Sequence, residues 1–420
     1  MKNTITQVTL KNGMKVMLKE IHTAPIISSW IWYKVGSRDE PTGKTGISHW
    51  TEHMMFKGTK KFPNGILDKA ISRDGGRWNA ATSKDSTRYF ETMPADKIDL
   101  ALRLEADRMK NTIFNEKEVA SERTVIISER EGSENEPTFQ LSEAVQHAAF
   151  RVHSYHHEII GDMADLLTIT RDDLYNHYKT YYVPNNAILS IAGDFDTKTL
   201  LKRIKELYEK IPKGKIPPRM IRPEPPQKGE VRLSVEGAGE TAFTQIAYHF
   251  PNAIHADYFP LQVMESLLNG ASGLSYKTAR LYRALVDKEF AVDVSGWSES
   301  NIDPTLYRIT ITHRPDKTPE QAVTVFDEEI KKIQNEIISN EEITRAVKQA
   351  KAVFAYGSEN ITHQAFWMGY TSMFSDYSWY TTYLTKLAKV TPQDVQRVAQ
   401  KYLQPANRVI GVYIPKGKGM

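Results

Sequence analysis

The segment Gly46-Ile47-Ser48-His49-Trp50-Thr51-Glu52-His53 puts two histidines and a glutamate within five residues. On a helix, His49 and His53 lie one turn apart on one face, with Glu52 beside them. Two imidazoles at that spacing can share a divalent ion. The adjacent carboxylate stands where it could take a proton from a water that such an ion acidifies. The order H-x-x-E-H inverts the better-known zinc-protease helix. The competing reading is two solvent-facing histidines joined to a helix salt bridge.

A catalytic zinc takes three protein ligands and keeps one position open. The chain has no cysteine, so a third donor must be His, Asp or Glu from another element. Glu116–Glu131 reads as a helix carrying Glu118, Glu122 and Glu129, and the last two, seven residues apart, share a face two turns apart. Any one of these glutamates suits a solvated helix face equally well. The absence of cysteine also excludes disulfides, iron–sulfur clusters and thiol nucleophiles.

The elements that must position these residues are legible as pattern. Gly46–Lys57 reads as a helix closed by Gly58. Val8–Glu20 alternates around Asn12-Gly13, the signal of a two-residue hairpin. Ile26–Val35 and Trp78–Thr92 read as strand, and Ala95–Asn111 as helix. Strands and helices alternate without a glycine-rich phosphate turn. The expected class is therefore α+β, each domain a mixed or antiparallel sheet with helices packed on one face.

A proline-rich stretch, with Pro212, Pro217, Pro218, Pro223, Pro225 and Pro226, divides the chain into near-equal halves. The halves echo one another. At an offset of 221, TRDDLYNHYKTYYVPNNAIL around Thr170 matches TPQDVQRVAQKYLQPANRVI around Thr391, pairing Asp173 with Asp394, Pro184 with Pro405 and Asn186 with Asn407. GSEN occurs at Gly132–Asn135 and again at Gly357–Asn360. The expected organisation is a tandem duplication: a metal-binding domain over 1–210, a linker over 211–230 and a homologous domain over 231–420.

Composition narrows the partners. The 420 residues are 40% hydrophobic and 25% charged, which is globular, and the net charge of +4 is too small for a nucleic-acid footprint. Apolar runs such as Ala187–Gly193 are strand-sized, so no membrane span is expected. No apolar leader is visible at the start, and the compartment reading is cytoplasmic, with the periplasm open to a chain whose leader was removed. His153, His156 and His157 form HSYHH, whose spacing fits no closed metal site and reads as packing or surface.

H-x-x-E-H followed by E-x6-E, with Glu129 80 residues after His49, resembles the pitrilysin/insulinase family of inverted zinc peptidases. The resemblance extends to the β-subunit of the mitochondrial processing peptidase and its bacterial relatives. It continues through His53-Met54-Met55-Phe56-Lys57-Gly58-Thr59, Trp78–Thr82, Thr87-Arg88-Tyr89, Ile159-Ile160-Gly161 and Tyr182–Ala187. It implies one zinc per chain held by His49, His53 and Glu129, with Glu52 as general base and Glu122 supporting a ligating histidine. It also implies peptide hydrolysis in a chamber. A substrate would add as a strand along Asn79–Thr82, with Asn79 and Ala80 in contact.

The second half departs from the pattern. Matching Gly58 with Gly270 puts Leu261, Met264 and Glu265 where the first half has His49, Glu52 and His53. The family's second half usually contributes an arginine and, seven residues on, a tyrosine that hold the substrate carbonyl. Register on Arg280-Leu281 puts Val286 and Asp293 there. Three outcomes follow: a related partner subunit supplies the pair in a heterodimer, another residue such as Arg283 substitutes, or the chain is a weak or inactive peptidase. The heterodimer is the expectation, since the loss is confined to one half. A non-catalytic scaffold of the same family is the alternative.

Overall fold

A computed structural model describes residues 5–270 and 277–417. Two compact units form. The first gathers the chain up to Arg130, His157–Ile221 and Gly357–Tyr380; the second gathers Glu131–His156, Arg222–Tyr356 and Thr381 onward.

In the first unit, strands β1 (Thr6–Thr9), β2 (Lys15–Glu20), β3 (Ile26–Tyr33), β4 (Arg77–Thr82), β5 (Thr87–Pro94) and β6 (Ala187–Gly193) form a sheet in the order β1-β2-β6-β3-β5-β4. In the second, β7 (Val231–Ala238), β8 (Phe243–Phe250), β9 (Ala291–Ser298), β10 (Thr305–His313) and β11 (Arg408–Lys416) take the order β7-β11-β8-β10-β9. With β1 set aside, the two orders are the same. Each has one parallel pair, β2 with β6 and β7 with β11, and is otherwise antiparallel.

The duplicated residues also do the same work. Thr170 and Thr391 each cap a helix in a reciprocal box with the aspartate three residues on. Asn186 Nδ2 donates to the carbonyls of Tyr181 (2.9 Å) and Lys34 (3.3 Å), and Asn407 Nδ2 to those of Tyr402 (2.8 Å) and His249 (3.0 Å). A planar amide with two donors ties the helix end to a neighbouring strand in both copies.

The units do not follow a single cut of the chain in the proline-rich stretch. Both exchanges of segment begin at the GSEN echoes, after Arg130 and after Tyr356. The helix Ile361–Phe374 therefore covers the first sheet, opposite the main helical layer. Phe366 meets Trp30 edge-on at 5.2 Å, and Ser372 Oγ reaches Met17 Sδ at 3.1 Å. In the second unit the helix Pro137–Ala149 plays that part, packing Leu141, Val145 and Ala149 on Ala247, Val409 and Tyr413. Coverage of both faces explains why β3 is buried at every position from Ile27 to Tyr33.

The main core of the first unit lies between the sheet and its larger helical layer. It joins Val16, Leu18, Ile27, Ile31, Leu189 and Ile191 to Trp50, Met54, Leu102 and Tyr178. Two sequence expectations need adjustment. Trp78–Thr92 is a hairpin of β4 and β5 around Ser83–Ser86, not one strand. The Asn12-Gly13 turn is wider than two residues: Leu10 N–H donates to Met14 O, and β1 and β2 pair from Thr9 and Lys15 outward. The Asn12 amide is drawn away instead, to the carbonyls of Tyr208 and Ile211.

Candidate metal centre

The helix α1 (Ile47–Phe56) starts from Gly46, whose φ of 85° is the left-handed conformation a glycine adopts without strain. Ile47, Trp50, Met54 and Met55 turn inward and fix the helix to the core. That leaves His49 and His53 together on a half-buried face, their rings 4.6 Å apart. The helix Glu116–Glu134 brings up the carboxylates; Val119 and Ile126 anchor it in the same core. Glu129 Oε2 lies 4.0 Å from His49 Nε2 and 3.8 Å from His53 Nε2. One donor atom from each of the three falls within 4.8 Å of the others.

The surroundings tune each group. His53 Nδ1 is 2.8 Å from Glu122 Oε1, so with Glu122 accepting, its Nε2 lone pair faces the convergence point. Lys57, one turn after His53, pairs with the other oxygen of Glu122. Burial works against charge on His53, but the Glu122 hydrogen bond and the charges of Glu129, Glu122 and Glu52 raise its pKa. Burial and the neighbouring His53 lower His49 to about 4, so its imidazole is neutral at physiological pH. Burial raises Glu52, against the pull of Thr82, His53 and Arg88; Thr82 Oγ1 donates to Glu52 Oε2 at 2.5 Å.

This donor set suits zinc. Bonds near 2.0–2.1 Å in a tetrahedron separate donors by roughly 3.3 Å, so closing the 3.8 and 4.0 Å gaps takes only tenths of an ångström. Two neutral nitrogens and one carboxylate leave the ion positively charged. The Nδ1 of His49 is buried with no hydrogen-bond partner among the described residues, unlike that of His53.

Asn79 and Ala80 stand on β4, which closes one end of the sheet and, among the described residues, pairs only with β5. Asn79 Oδ1 accepts from the Ala80 N–H, and β4 touches the metal face through Thr82. Thr82 and Lys57 are further residues of the site. Lys57, four residues after His53, was within reach of the helix-spacing argument; Thr82 was not, because it arrives from another strand.

The second unit has no counterpart set around Glu265 among the described residues. On the helix Tyr258–Asn269, Glu265 accepts from Ser298 Oγ at 2.6 Å and Ser298 N–H at 3.2 Å. Arg280 is engaged by Glu342 through two bonds of 3.0 Å, and Asp293 lies on β9.

Matched sheet orders in two units, one of which carries a converging His-His-Glu donor set, are features this chain shares with a known peptidase family. Residues 15–163 match the family described as insulinase (peptidase family M16), and residues 168–350 match the peptidase M16 inactive domain. The chain belongs to this peptidase family. It is 29% identical over 403 residues to the zinc protease PqqE of Helicobacter pylori, covering 94% of this chain and 90% of that one. It is 25% identical over 351 residues to a probable mitochondrial-processing peptidase subunit beta of Arabidopsis thaliana, covering 82% and 66%. A crystal structure of a protease from Helicobacter pylori superposes with a TM-score of 0.94 at 28% identity, covering 98% of this chain and 100% of that one. No helix among the described residues is long and apolar enough to cross a membrane.

Proposed function

We propose that this chain is a zinc-dependent metalloendopeptidase that cleaves peptides or unfolded segments in a chamber completed by a related subunit. In this reading 1–210 is the catalytic domain, 211–230 the linker and 231–420 its homologous companion. The observation that carries the reading is the convergence of His49, His53 and Glu129 with Glu52 beside them. Zinc held there supplies a Lewis acid that polarises a peptide carbonyl and acidifies water. Glu52 takes up a proton and returns one to the leaving amine; its burial and raised pKa suit a group that must alternate between the two forms. Glu122 orients His53 and is itself held by Lys57. The flank of β4 away from β5 would offer main-chain groups to an extended peptide, with Asn79 and Ala80 on that strand.

Zinc content by atomic absorption tests the site. The wild-type chain should carry about one equivalent and His53→Ala well under a tenth of that. Glu52→Gln should keep zinc and lose hydrolysis of a quenched fluorescent peptide by at least about 100-fold. Zinc content unchanged in His53→Ala would remove the assignment.

A further inference from the structure

Every group proposed for the chemistry except Glu129 and Glu122 rides on α1, so whatever fixes the start of that helix fixes the site. Gly46 at its N-cap has no side chain to meet the exposed N–H groups of the first turn. Glu40 meets them from outside the helix. Its Oε2 accepts from Gly46 N–H at 2.9 Å and its Oε1 from Ser48 N–H at 2.8 Å. His157 Nε2 lies 2.9 Å from the same Oε2. The Glu40 side chain is 0% exposed and that of His157 2%. The two side chains form a buried histidine–carboxylate pair, an ion pair whenever the imidazole is protonated.

The segment bearing His157 is docked closely. Thr45 N–H and Oγ1 donate to Asp165 Oδ2 at 2.8 and 2.7 Å, and Asp162 N–H donates to Thr45 Oγ1 at 2.8 Å. A Cβ on Gly161 would stand 2.4 Å from the Thr45 carbonyl oxygen, and one on Gly46 2.3 Å from that of Ile160. Only glycines permit this approach.

We propose that Glu40 and His157 are positioning residues, an ion-pair clamp on the first turn of α1 that sets where His49 and His53 stand relative to Glu129. The proposal deepens the zinc-peptidase reading and rests on it for its functional meaning. The carboxylate also complements the positive end of the helix. The clamp gives His157 of the HSYHH run a specific partner in Glu40.

The charged groups facing the pair set its pH response. Asp162 faces His157 from the following loop, and Tyr181 approaches Glu40 from the helix Arg171–Tyr181. Burial opposes charge on His157, but the Glu40 hydrogen bond and the charges of Glu40 and Asp162 outweigh it and raise the pKa above its ordinary value. The clamp is therefore complete below the usual histidine pKa and is lost as pH rises through the raised one.

The test uses the full chain with His157→Leu, His157→Gln and Glu40→Gln. One arm follows amide hydrogen exchange of residues 46–56 in metal-free protein. The other follows zinc release to a chelator, and the visible spectrum of the Co²⁺-substituted protein, at pH 6 and pH 9. His157→Leu should speed exchange and zinc release about 10-fold at pH 6, with a changed Co²⁺ spectrum. Its difference from wild type should shrink at pH 9. His157→Gln keeps one donor to Glu40 and should recover part of the loss, without the pH dependence; it also decides the matter if the leucine variant does not fold. Folded variants with wild-type exchange and release at both pH values would overturn the clamp. Wild-type protein that binds no zinc would instead overturn the metal reading, while the exchange arm still judges the clamp.

Discussion

Glu265 shows how the same helix position diverges between the duplicated halves. In the first half that position is His53, whose Nδ1 is steadied by Glu122. In the second, burial raises the Glu265 carboxyl to about 7, against the hydrogen bonds of Ser298. A carboxyl raised in the folded state favours folding most when protonated. Its contribution is full below the ordinary carboxylate pKa of 4.5 and is lost as pH climbs to about 7. Glu265→Gln keeps the shape and the Ser298 contacts without that loss. It should raise stability by about 2 kcal/mol at pH 8 and change it little at pH 4, checked by urea unfolding at both. At this scale the helix-borne residues were legible: His49, Glu52 and His53 lie at spacings that only a helix turns to one side, and Glu122 with Glu129 repeat over two turns. Glu40 and His157 were not, because 117 residues separate them and no local spacing encodes a contact made by chain return.

At the scale of elements, the sequence carried the strands, the capped helices and the internal echo, since each is written in local periodicity or in a matched register. It did not carry the exchange of helices between units. Nothing local to Ile361–Phe374 or Pro137–Ala149 says which sheet each will cover. Gly369 is where that choice becomes physical: a Cβ there would stand 1.9 Å from Trp32 Nε1, so the helix reaches β3 only because the residue has no side chain. Alanine is the better helix former by about 1 kcal/mol. Gly369→Ala should nevertheless destabilise the chain by about 1–3 kcal/mol through overpacking. Gly357, inside the helix Asn340–Glu359, has its nearest such neighbour at 4.0 Å, and Gly357→Ala should be neutral or stabilising by up to about 1 kcal/mol. Thermal unfolding of the two variants side by side checks the contrast. Equal effects would mean that the Trp32 contact does not limit the packing.

At the scale of the molecule, the two units share a topology but not an equipment of reactive groups. The first holds the converging donors and the buried Glu52 carboxyl. In the second, the register that would bring an arginine and a tyrosine to the substrate carbonyl reaches Val286 and Asp293, and Arg280 is paired with Glu342. In the proposed mechanism, zinc and Glu52 generate the nucleophile without that pair. Holding the carbonyl as negative charge develops on it is a separate task, and losing a single donor for it costs about 100- to 1,000-fold in rate. The expected result is a division of labour: the isolated chain binds zinc at full occupancy but turns over peptides about 100-fold more slowly than its complex with a related subunit carrying both residues. Turnover of one quenched peptide by the purified chain, with its mass in solution measured by light scattering, and again after mixing with such a subunit, checks this. A verified homodimer already working at the rate of the mixture would show that the carbonyl is held from within the chain. Arg283, exposed on the short π-helix Tyr282–Val286, would then be the first residue to replace.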